Sequence, residues 1–313
     1  MALIVAFVCA VVATPIAAVA ARRFGIVDSP GPLKVHSDPV PYLGGVAVFV
    51  ALAGPVALER PLLLLPIGLA LTLGLADDRG GGPSPGVRLI LETAIGVVAA
   101  VALPTHGVVD SLITVALVVG LLNAINLLDG MDGLASGVSV TAAIGFAFVV
   151  EGEFQVLALS LVGSLLGFLV WNRPPARIYL GDAGSYLIGT TLAMLLMASF
   201  VEGDSLSASS GAVLFVAVPV VDAAIAIVRR ARARRPLLQG DRGHIYDQLV
   251  DRGWEPVSVV ALFIGAQGAL VCIGLAIGGL AAGIAIGVTA VLMLVLATFV
   301  VVSFTTPGTW KAQ

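Results

Sequence analysis

Two adjacent carboxylates, Asp77 and Asp78, end an apolar run and precede a loop rich in glycine and proline. Like charges held this close repel one another unless a proton or a cation relieves them. Mg²⁺ is the obvious relief, because it takes oxygen ligands and leaves room for substrate phosphates. Arg88 opens the next apolar run within reach of the same surface. The loop predicts a metal and phosphate site, and the alternative is a solvated helix end.

Amide and carboxylate side chains also gather in a later connection between apolar runs. Asn126 and Asp129 recur with glycines at three- and four-residue intervals, so their polar groups would share a face if the turn is helical. Asn123 and Asp132 flank them. Two asparagines and two aspartates are hard to explain as a plain linker, so we predict a ligand-binding turn.

Asp182 lies among glycines just before another apolar run. There its carboxylate could reach a metal with little steric hindrance, and a helix beginning near Ser185 would favour an anion. The alternative for Asp182 is a helix N-cap.

Basic side chains occupy two further loops. Lys34 could place a point charge on a phosphate, and His244 could hydrogen-bond or coordinate a pyrophosphate. The basic run from Arg229 to Arg235 could attract anionic lipid head groups or follow only from membrane topology.

The composition of the chain indicates that the segments between these loops are embedded in a membrane. Of the 313 residues, 59% are hydrophobic and only 11% charged, which excludes a soluble globular protein and a disordered chain. The net charge of −3 gives no reason to expect a nucleic-acid partner. We predict an all-α protein, a polytopic transmembrane helix bundle in which residues 1–313 form a single domain.

Apolar runs of spanning length define the elements of this bundle. A spanning helix needs about 20 apolar residues, and we find about 11 such runs. They are residues 2–21, 42–59, 61–76, 87–103, 108–128, 134–150, 155–171, 184–200, 211–229, 256–279 and 281–304. The first run has its charges after it, at Arg22 and Arg23, so we interpret it as a retained helix rather than a signal peptide.

The basic residues predict the orientation of the bundle. With eleven crossings, every Lys and Arg except Arg60 falls on one face, which is therefore cytoplasmic. The N-terminus is then outside and the C-terminus cytoplasmic. The polar loops that carry the candidate site share the cytoplasmic face.

Five ordered motifs resemble those of the polyprenyl-phosphate N-acetylhexosamine-1-phosphate transferases, the glycosyltransferase 4 family. They are Lys34-x-His36-x-x-Pro39-x-Pro41-x-x-Gly44-Gly45, Asp77-Asp78, Asn123-Ala-x-Asn126-x-x-Asp129-Gly130-x-Asp132-Gly133, Gly181-Asp182-x-Gly184-Ser185 and Asp241-Arg242-x-His244. The match extends from residue 34 to residue 253. The first motif is similar to the branch that transfers GlcNAc-1-phosphate rather than the MurNAc-pentapeptide branch.

The resemblance implies a reaction, a cofactor and partners. Polyprenyl phosphate would attack the sugar-linked phosphorus of a UDP-sugar, giving polyprenyl-diphosphate-sugar and UMP, with Mg²⁺ required and Mn²⁺ as a substitute. This would be the first membrane step of a cell-envelope glycan, at the plasma or inner membrane. The implied partners are UDP-sugar, polyprenyl phosphate, membrane lipids and, as an alternative to a monomer, a second copy in a homodimer. Direct attack and a phospho-aspartyl intermediate both stay open.

The resemblance also implies residue roles. Asp182 would be the leading metal ligand, and Asp77 a second ligand and the base that deprotonates or orients the lipid phosphate. Asp78 and His244 complete the implied catalytic residues. The implied substrate-binding residues are Lys34, His36, Arg88, Asn123, Asn126, Asp129, Asp132, Asn172, Asp241 and Arg242. Among them Lys34 and Arg88 would hold phosphates, and Asp132 would contact uracil.

One motif departs from the family pattern. The family usually has His-x-His-His, whereas this chain has His244, Tyr246 and Asp247 at those positions. The departure leaves room for another UDP-N-acetylhexosamine donor or for a catalytically silent lipid-binding relative. A transporter is a third alternative, but transporters place polar groups near the bilayer midplane, whereas here they lie at the ends of the runs.

Overall fold

Thirteen α-helices form the described part of this computed structural model, which covers residues 1–28, 39–79, 82–201, 205–234 and 243–305. They are α1 Ala2–Arg23, α2 Gly44–Glu59, α3 Leu64–Asp78, α4 Pro85–Ala102, α5 Val108–Leu128, α6 Leu134–Ala147, α7 Gly152–Asn172, α8 Gly181–Val201, α9 Leu206–Ala212, α10 Ala217–Arg232, α11 Ile245–Asp251, α12 Pro256–Ile277 and α13 Ala282–Thr305. Short 3-10 turns precede α3 at Pro61–Leu63 and α10 at Val213–Val216.

The predicted all-α class is confirmed, because the described chain is helical apart from its connections and one two-residue strand pair. The physical reason is that helices satisfy the backbone hydrogen bonds of an apolar segment in lipid. Eight helical stretches of the described chain are long and apolar enough to cross a membrane, and three shorter apolar helices accompany them. Every predicted run overlaps a helix, with α9, a 3-10 turn and α10 together forming one stretch. The chain is therefore a multi-pass membrane protein, and the count of about 11 spans and their orientation stay predictions.

One feature of the fold has no counterpart in the predicted spans. Strands β1, Val27–Asp28, and β2, Val40–Pro41, form a two-residue antiparallel pair. The backbone after β2 continues this pairing, because the Pro41 and Tyr179 backbone groups bond at 2.8 Å and Gly45 donates to Leu180 at 2.9 Å. These bonds tie the start of α2 to the start of α8.

Small residues let the helices approach one another closely. On α1, Ala6, Ala10, Ala17 and Ala21 are buried at helical spacing. The facing helix is α7, where a Cβ added at Gly163 or Gly167 would collide with the α1 backbone. Such small-residue contacts are the usual means by which membrane helices pack without a hydrophobic driving force.

The most enclosed helix is α8, which is 89% buried and packs against α3 and α5. Its glycines meet neighbouring backbones: Gly184 lies against Gly45 of α2, and Gly189 against Leu122 of α5. The N-terminus of α8 therefore lies where α3 and α5 end and α2 begins. We call this the site end of the bundle.

Candidate active site

The carboxylate of Asp78, the last residue of α3, caps the N-terminus of α8. Its Oδ1 accepts a hydrogen bond from the Asp182 amide at 2.8 Å, and its Oδ2 from the Ala183 amide at 3.1 Å. The first amides of a helix lack partners within it, and a negative charge there is stabilising. Asp78 therefore positions Asp182, and its predicted catalytic role stays a prediction.

Asp77 faces a different set of groups from its neighbour. The Tyr186 hydroxyl of α8 donates to Asp77 Oδ2 at 2.6 Å, and Arg88 Nη1 lies 4.0 Å from the same oxygen. In the described part of the chain, Asp77 Oδ1 accepts no hydrogen bond. The side chain is 10% exposed, so it is held in a defined place with one oxygen available for a ligand.

Asp182, in the first turn of α8, is oriented by an asparagine of α5. Asn126 Nδ2 donates to Asp182 Oδ1 at 2.6 Å and lies 3.2 Å from the Ser185 hydroxyl. No described group donates to Asp182 Oδ2. The structure thus brings Asn126, Asp182 and Asp77 together, as the motifs predict.

Asp129 follows the last residue of α5 and lies among three other carboxylates. Its pKa is raised well above the usual range, first because burial disfavours its charged form and then because Asp182, Asp78 and Asp132 are close. None of the described residues donates a hydrogen bond to its carboxylate. A cation placed among these groups would stabilise the charged form.

This donor set fits Mg²⁺, although the described residues contain no group of three His, Cys, Asp or Glu side chains arranged to hold a metal ion. Mg²⁺ usually keeps several waters and takes only one or two protein carboxylates, with substrate phosphates completing its shell. Asp182 and Asp77 each offer one carboxylate oxygen without a donor among the described groups. Two such oxygens suffice for an ion that arrives with a diphosphate.

Arg88 belongs to a polar network on α4 and α5. Its Nε lies 3.2 Å from Glu92 Oε1, and its Nη2 donates to Asn123 Oδ1 at 3.3 Å. Asn123 Nδ2 in turn donates to Glu92 Oε2 at 2.7 Å. Glu92, which is 1% exposed, thereby fixes Arg88 and Asn123, two of the predicted substrate-binding residues.

Asn172 and Asp132 join two connections at the site end, and Asp132 also lies close to the carboxylate of Asp129. The buried Asn172 accepts from the Gly133 amide at 3.0 Å and donates to the Ile178 carbonyl at 3.0 Å. Asp132 Oδ2 accepts from the Ala176 amide at 2.8 Å. The two residues hold the α5–α6 turn against the connection from α7 to α8. The substrate-binding role implied for Asn172 and the uracil contact implied for Asp132 stay predictions.

A cleft of about 310 Å³ opens beside the same connection. It is lined by Val170, Trp171, Arg173, Pro174, Pro175 and Arg177. The Arg177 guanidinium lies 5.8 Å from the centre of the Trp171 ring. An aromatic face with two exposed arginines suits an anionic ligand that carries a planar ring.

His244 lies where α10, α11 and the end of α5 meet. Its Nδ1 is 2.7 Å from Asp222 Oδ2 of α10, and its ring stacks on Tyr246. The Tyr246 hydroxyl donates to the Leu127 carbonyl at 3.1 Å. No bond joins His244 to Asp77 or Asp182 in the described structure, so the histidine motif reaches the carboxylates through the α5–α6 turn. The predicted residues Lys34, His36, Asp241 and Arg242 lie outside the described residues.

Three residues of this region were missed by the sequence analysis. Tyr186, Glu92 and Asp222 lie inside apolar runs, where the motif search assigned no function. A signal existed for the two acids, since an ionisable residue within a membrane helix is expensive and usually has a function. Tyr186 follows Asp182 by four residues, which places both on one helix face.

The sequence of this chain is similar to those of known proteins. The model of glycosyl transferase family 4 matches residues 61–200, which include α3 to α8. A probable undecaprenyl-phosphate N-acetylglucosaminyl 1-phosphate transferase of Bacillus subtilis is 30% identical over 84% of this chain and 81% of its own. A decaprenyl-phosphate N-acetylglucosaminephosphotransferase of Mycolicibacterium smegmatis is 31% identical over 79% and 75%.

A third relative has a similar name and coverage. It is an undecaprenyl-phosphate alpha-N-acetylglucosaminyl 1-phosphate transferase of Thermotoga maritima, 32% identical over 80% of this chain and 82% of its own. The relatives align over most of both chains, so the similarity is not confined to one motif. The chain therefore belongs to glycosyl transferase family 4.

Proposed function

We propose that this protein transfers GlcNAc-1-phosphate from UDP-GlcNAc to a polyprenyl phosphate, releasing UMP. The observation that carries the proposal is the pair Asp77 and Asp182 at the site end. Each is held by its own donor, Tyr186 or Asn126, and Arg88 lies beside them. Relatives with this reaction in their names align over most of the chain.

The chemistry is a phosphoryl transfer between two phosphate compounds. An oxygen of the lipid phosphate forms a bond to the sugar-linked phosphorus, and the bond from that phosphorus to the oxygen of UMP breaks. Mg²⁺ held by Asp182 and Asp77 would supply charge neutralisation of the diphosphate. The protein's own contribution is mainly to position the two substrates and to stabilise the developing charge.

Asp77 suits the acceptor side of this reaction. Tyr186 and Arg88 fix its Oδ2, so its Oδ1 would either orient the lipid phosphate as a ligand of the shared metal or accept the phosphate's proton in place of the metal. Arg88 is itself fixed by Glu92 and carries a charge that suits a phosphate oxygen. The lipid phosphate would arrive from the bilayer at the end of α3, where Asp77 lies, and the start of α4, where Arg88 lies.

The cleft beside the α7–α8 connection suits the nucleotide side. Trp171 offers an aromatic face, and Arg173 and Arg177 offer positive charge. The Asp132–Ala176 bond links this cleft to the α5–α6 turn, and Asp129 in that turn lies close to Asp182. A UDP-sugar in the cleft would extend its diphosphate toward Asp182. By the distribution of basic residues, this end faces the cytoplasm.

Another UDP-N-acetylhexosamine is a second candidate donor, since Tyr246 and Asp247 replace histidines of the family motif. The position of Tyr246 argues for retained activity rather than a silent relative. Its ring is buried and its hydroxyl bonds the end of α5, so the replacement keeps the histidine loop docked.

The test is UMP release by purified protein in lipid nanodiscs with Mg²⁺, polyprenyl phosphate and a panel of UDP-sugars. We expect UMP with UDP-GlcNAc, and none after chelation of the metal. Asp77→Asn should abolish release, whereas Glu151→Gln, an exposed acid that precedes α7, should not change it. Release with only a different UDP-sugar would keep the reaction and reassign the donor. No release from any donor by folded protein would overturn the proposal.

A further inference from the structure

His244 has a buried partner that lies outside the five motifs. Asp222 of α10 is 1% exposed, His244 is 4% exposed, and His244 Nδ1 lies 2.7 Å from Asp222 Oδ2. The other oxygen, Asp222 Oδ1, accepts from the Ile245 amide at 3.3 Å. A carboxylate that holds both the ring and the next backbone amide restricts the orientation of the ring as well as its position.

The same contact selects one form of the histidine. An ionised carboxylate only accepts hydrogen bonds, so Nδ1 must carry the hydrogen. The second ring nitrogen, Nε2, is then the acceptor nitrogen of the neutral ring. A histidine without this partner would distribute between its two tautomers.

The ring also connects α11 to the turn that carries Asp129. It stacks on Tyr246 with 5.3 Å between ring centres and 6° between ring planes. Tyr246 donates to the carbonyl of Leu127, two residues before Asp129, and a Cβ at Gly130 would collide with the tyrosine hydroxyl. A chain of contacts thus leads from Asp222 through His244 and Tyr246 to the site end.

We propose that Asp222 is a positioning residue for the transfer. It keeps His244 as the Nδ1–H form with a fixed ring plane, and through Tyr246 it holds α11 against the α5–α6 turn. This inference rests on the proposed function and deepens it. Asp222 does not contact the reacting atoms but sets the geometry of residues that lie closer to them.

The Asp222→Asn substitution separates positioning from simple packing. Asparagine has nearly the same size, so the packing around residue 222 is kept. Its amide can accept from Nδ1–H through oxygen or donate to bare Nδ1 through nitrogen, so it serves either tautomer. We therefore expect a folded protein whose His244 is no longer held in one form. Asp222→Glu keeps a carboxylate at this position. Compared with Asp222→Asn, it should therefore keep more of His244 in the Nδ1–H form.

Nitrogen NMR of ring-labelled histidine in the full chain reads this form directly. The chain has three histidines, and His244→Gln identifies the signal of His244. The wild-type signal should show the Nδ1–H form, and Asp222→Asn should shift it toward a mixture. In the UMP assay the same variant should lower kcat about 10- to 100-fold, because the loss of a hydrogen-bonded partner that orients a site histidine typically has an effect of this size. The KM for the UDP-sugar should change little.

Gln267→Met is the matched control. Gln267 of α12 is fully buried, donates to the Leu214 carbonyl at 3.1 Å and accepts from the Val218 amide at 3.2 Å. Its loss should destabilise the bundle and leave the His244 signal and kcat as in the wild-type protein.

Two results would overturn the inference: an unchanged His244 signal in Asp222→Asn, or a wild-type kcat in that variant. If the wild-type protein releases no UMP from any UDP-sugar, the proposed function fails instead, and the NMR signal still reports whether Asp222 sets the ring. The two failures are therefore distinguishable.

Discussion

At the scale of single residues, the two adjacent acids at the end of α3 bind different partners. Neighbours on a helix project about 100° apart, so Asp77 and Asp78 cannot face the same partner. Asp78 accepts from two amides of α8, whereas Asp77 accepts from Tyr186. The motif predicted an acidic pair at this position, but it could not show that the two acids have different partners. That difference depends on where α8 begins, which is a property of the tertiary structure.

We therefore expect Asp182→Asn to reduce mainly the activity and Asp78→Asn to reduce mainly the stability. Asp182→Asn keeps an oxygen for Asn126 but weakens metal binding, so UMP release should fall about 100-fold or more with little change in stability. Asp78→Asn places an amide against the Ala183 N–H and loses the charge at the helix start. It should lower the free energy of unfolding by about 1–2 kcal/mol. Thermal unfolding and UMP assays on the same preparations check both, and a reversal of the two patterns would contradict the assignment.

Removing one hydroxyl should expose the role of Tyr186. In Tyr186→Phe, Asp77 Oδ2 loses its 2.6 Å donor while the packing is kept. A hydrogen bond to a charged group contributes about 1.5–3 kcal/mol, so we expect kcat to fall about tenfold or more with an unchanged KM for the UDP-sugar. Thr191→Val is the control, because among the described residues that buried hydroxyl bonds only the Leu187 carbonyl of its own helix. Equal effects of the two variants would refute a specific role for Tyr186.

At the scale of elements, the close crossing of α3 and α8 is what lets Asp78 reach its amides. At Gly74 an added Cβ would collide with the backbone of Asp182 and Ala183. Gly74→Ala should push α8 away and lower the free energy of unfolding by about 1–3 kcal/mol, with loss of UMP release. Gly120→Ala on α5 is the control, since no atom that the structure describes outside the helix backbone lies within 4 Å of its added Cβ. That variant should be neutral or stabilising by about 0.5–1 kcal/mol, and a Gly74→Ala protein of wild-type stability and activity would disprove the argument.

The sequence predicted elements well where composition decides and poorly where tertiary contacts decide. Every long apolar run became helical, because a membrane segment has no other way to satisfy its backbone. The β1–β2 pair and the seven-residue helix α11 lie in polar connections, where short-range patterns are weak. Tyr186 and Asp222 lie within runs that were counted as membrane spans, so only the packing of α8 and α10 showed that they are the partners of Asp77 and His244.

At the scale of the whole molecule, polar interactions with different purposes lie at opposite ends of the bundle. Away from the site end, Arg60 bonds Glu153 at 2.7 Å and the Ala102 carbonyl at 2.9 Å, and lies 5.9 Å from the Phe154 ring centre. These contacts join the ends of α2 and α4 to the start of α7. The contacts of Arg60 thus join helices at one end, and the other end holds the acids that we propose for the transfer.

This polarity makes the orientation of the bundle testable. Basic residues lie beside the site end, for example Arg173 after α7, whereas Glu151 precedes α7 at the other end. The positive-inside rule then predicts that Arg173 faces the cytoplasm and Glu151 the exterior. In a Cys9→Ser, Cys272→Ser background, which removes both native thiols, a membrane-impermeant thiol reagent should label Glu151→Cys in intact cells. Arg173→Cys should react only after permeabilisation. The opposite labelling would place the carboxylates outside, away from a cytoplasmic nucleotide, and would refute the proposed cytoplasmic orientation.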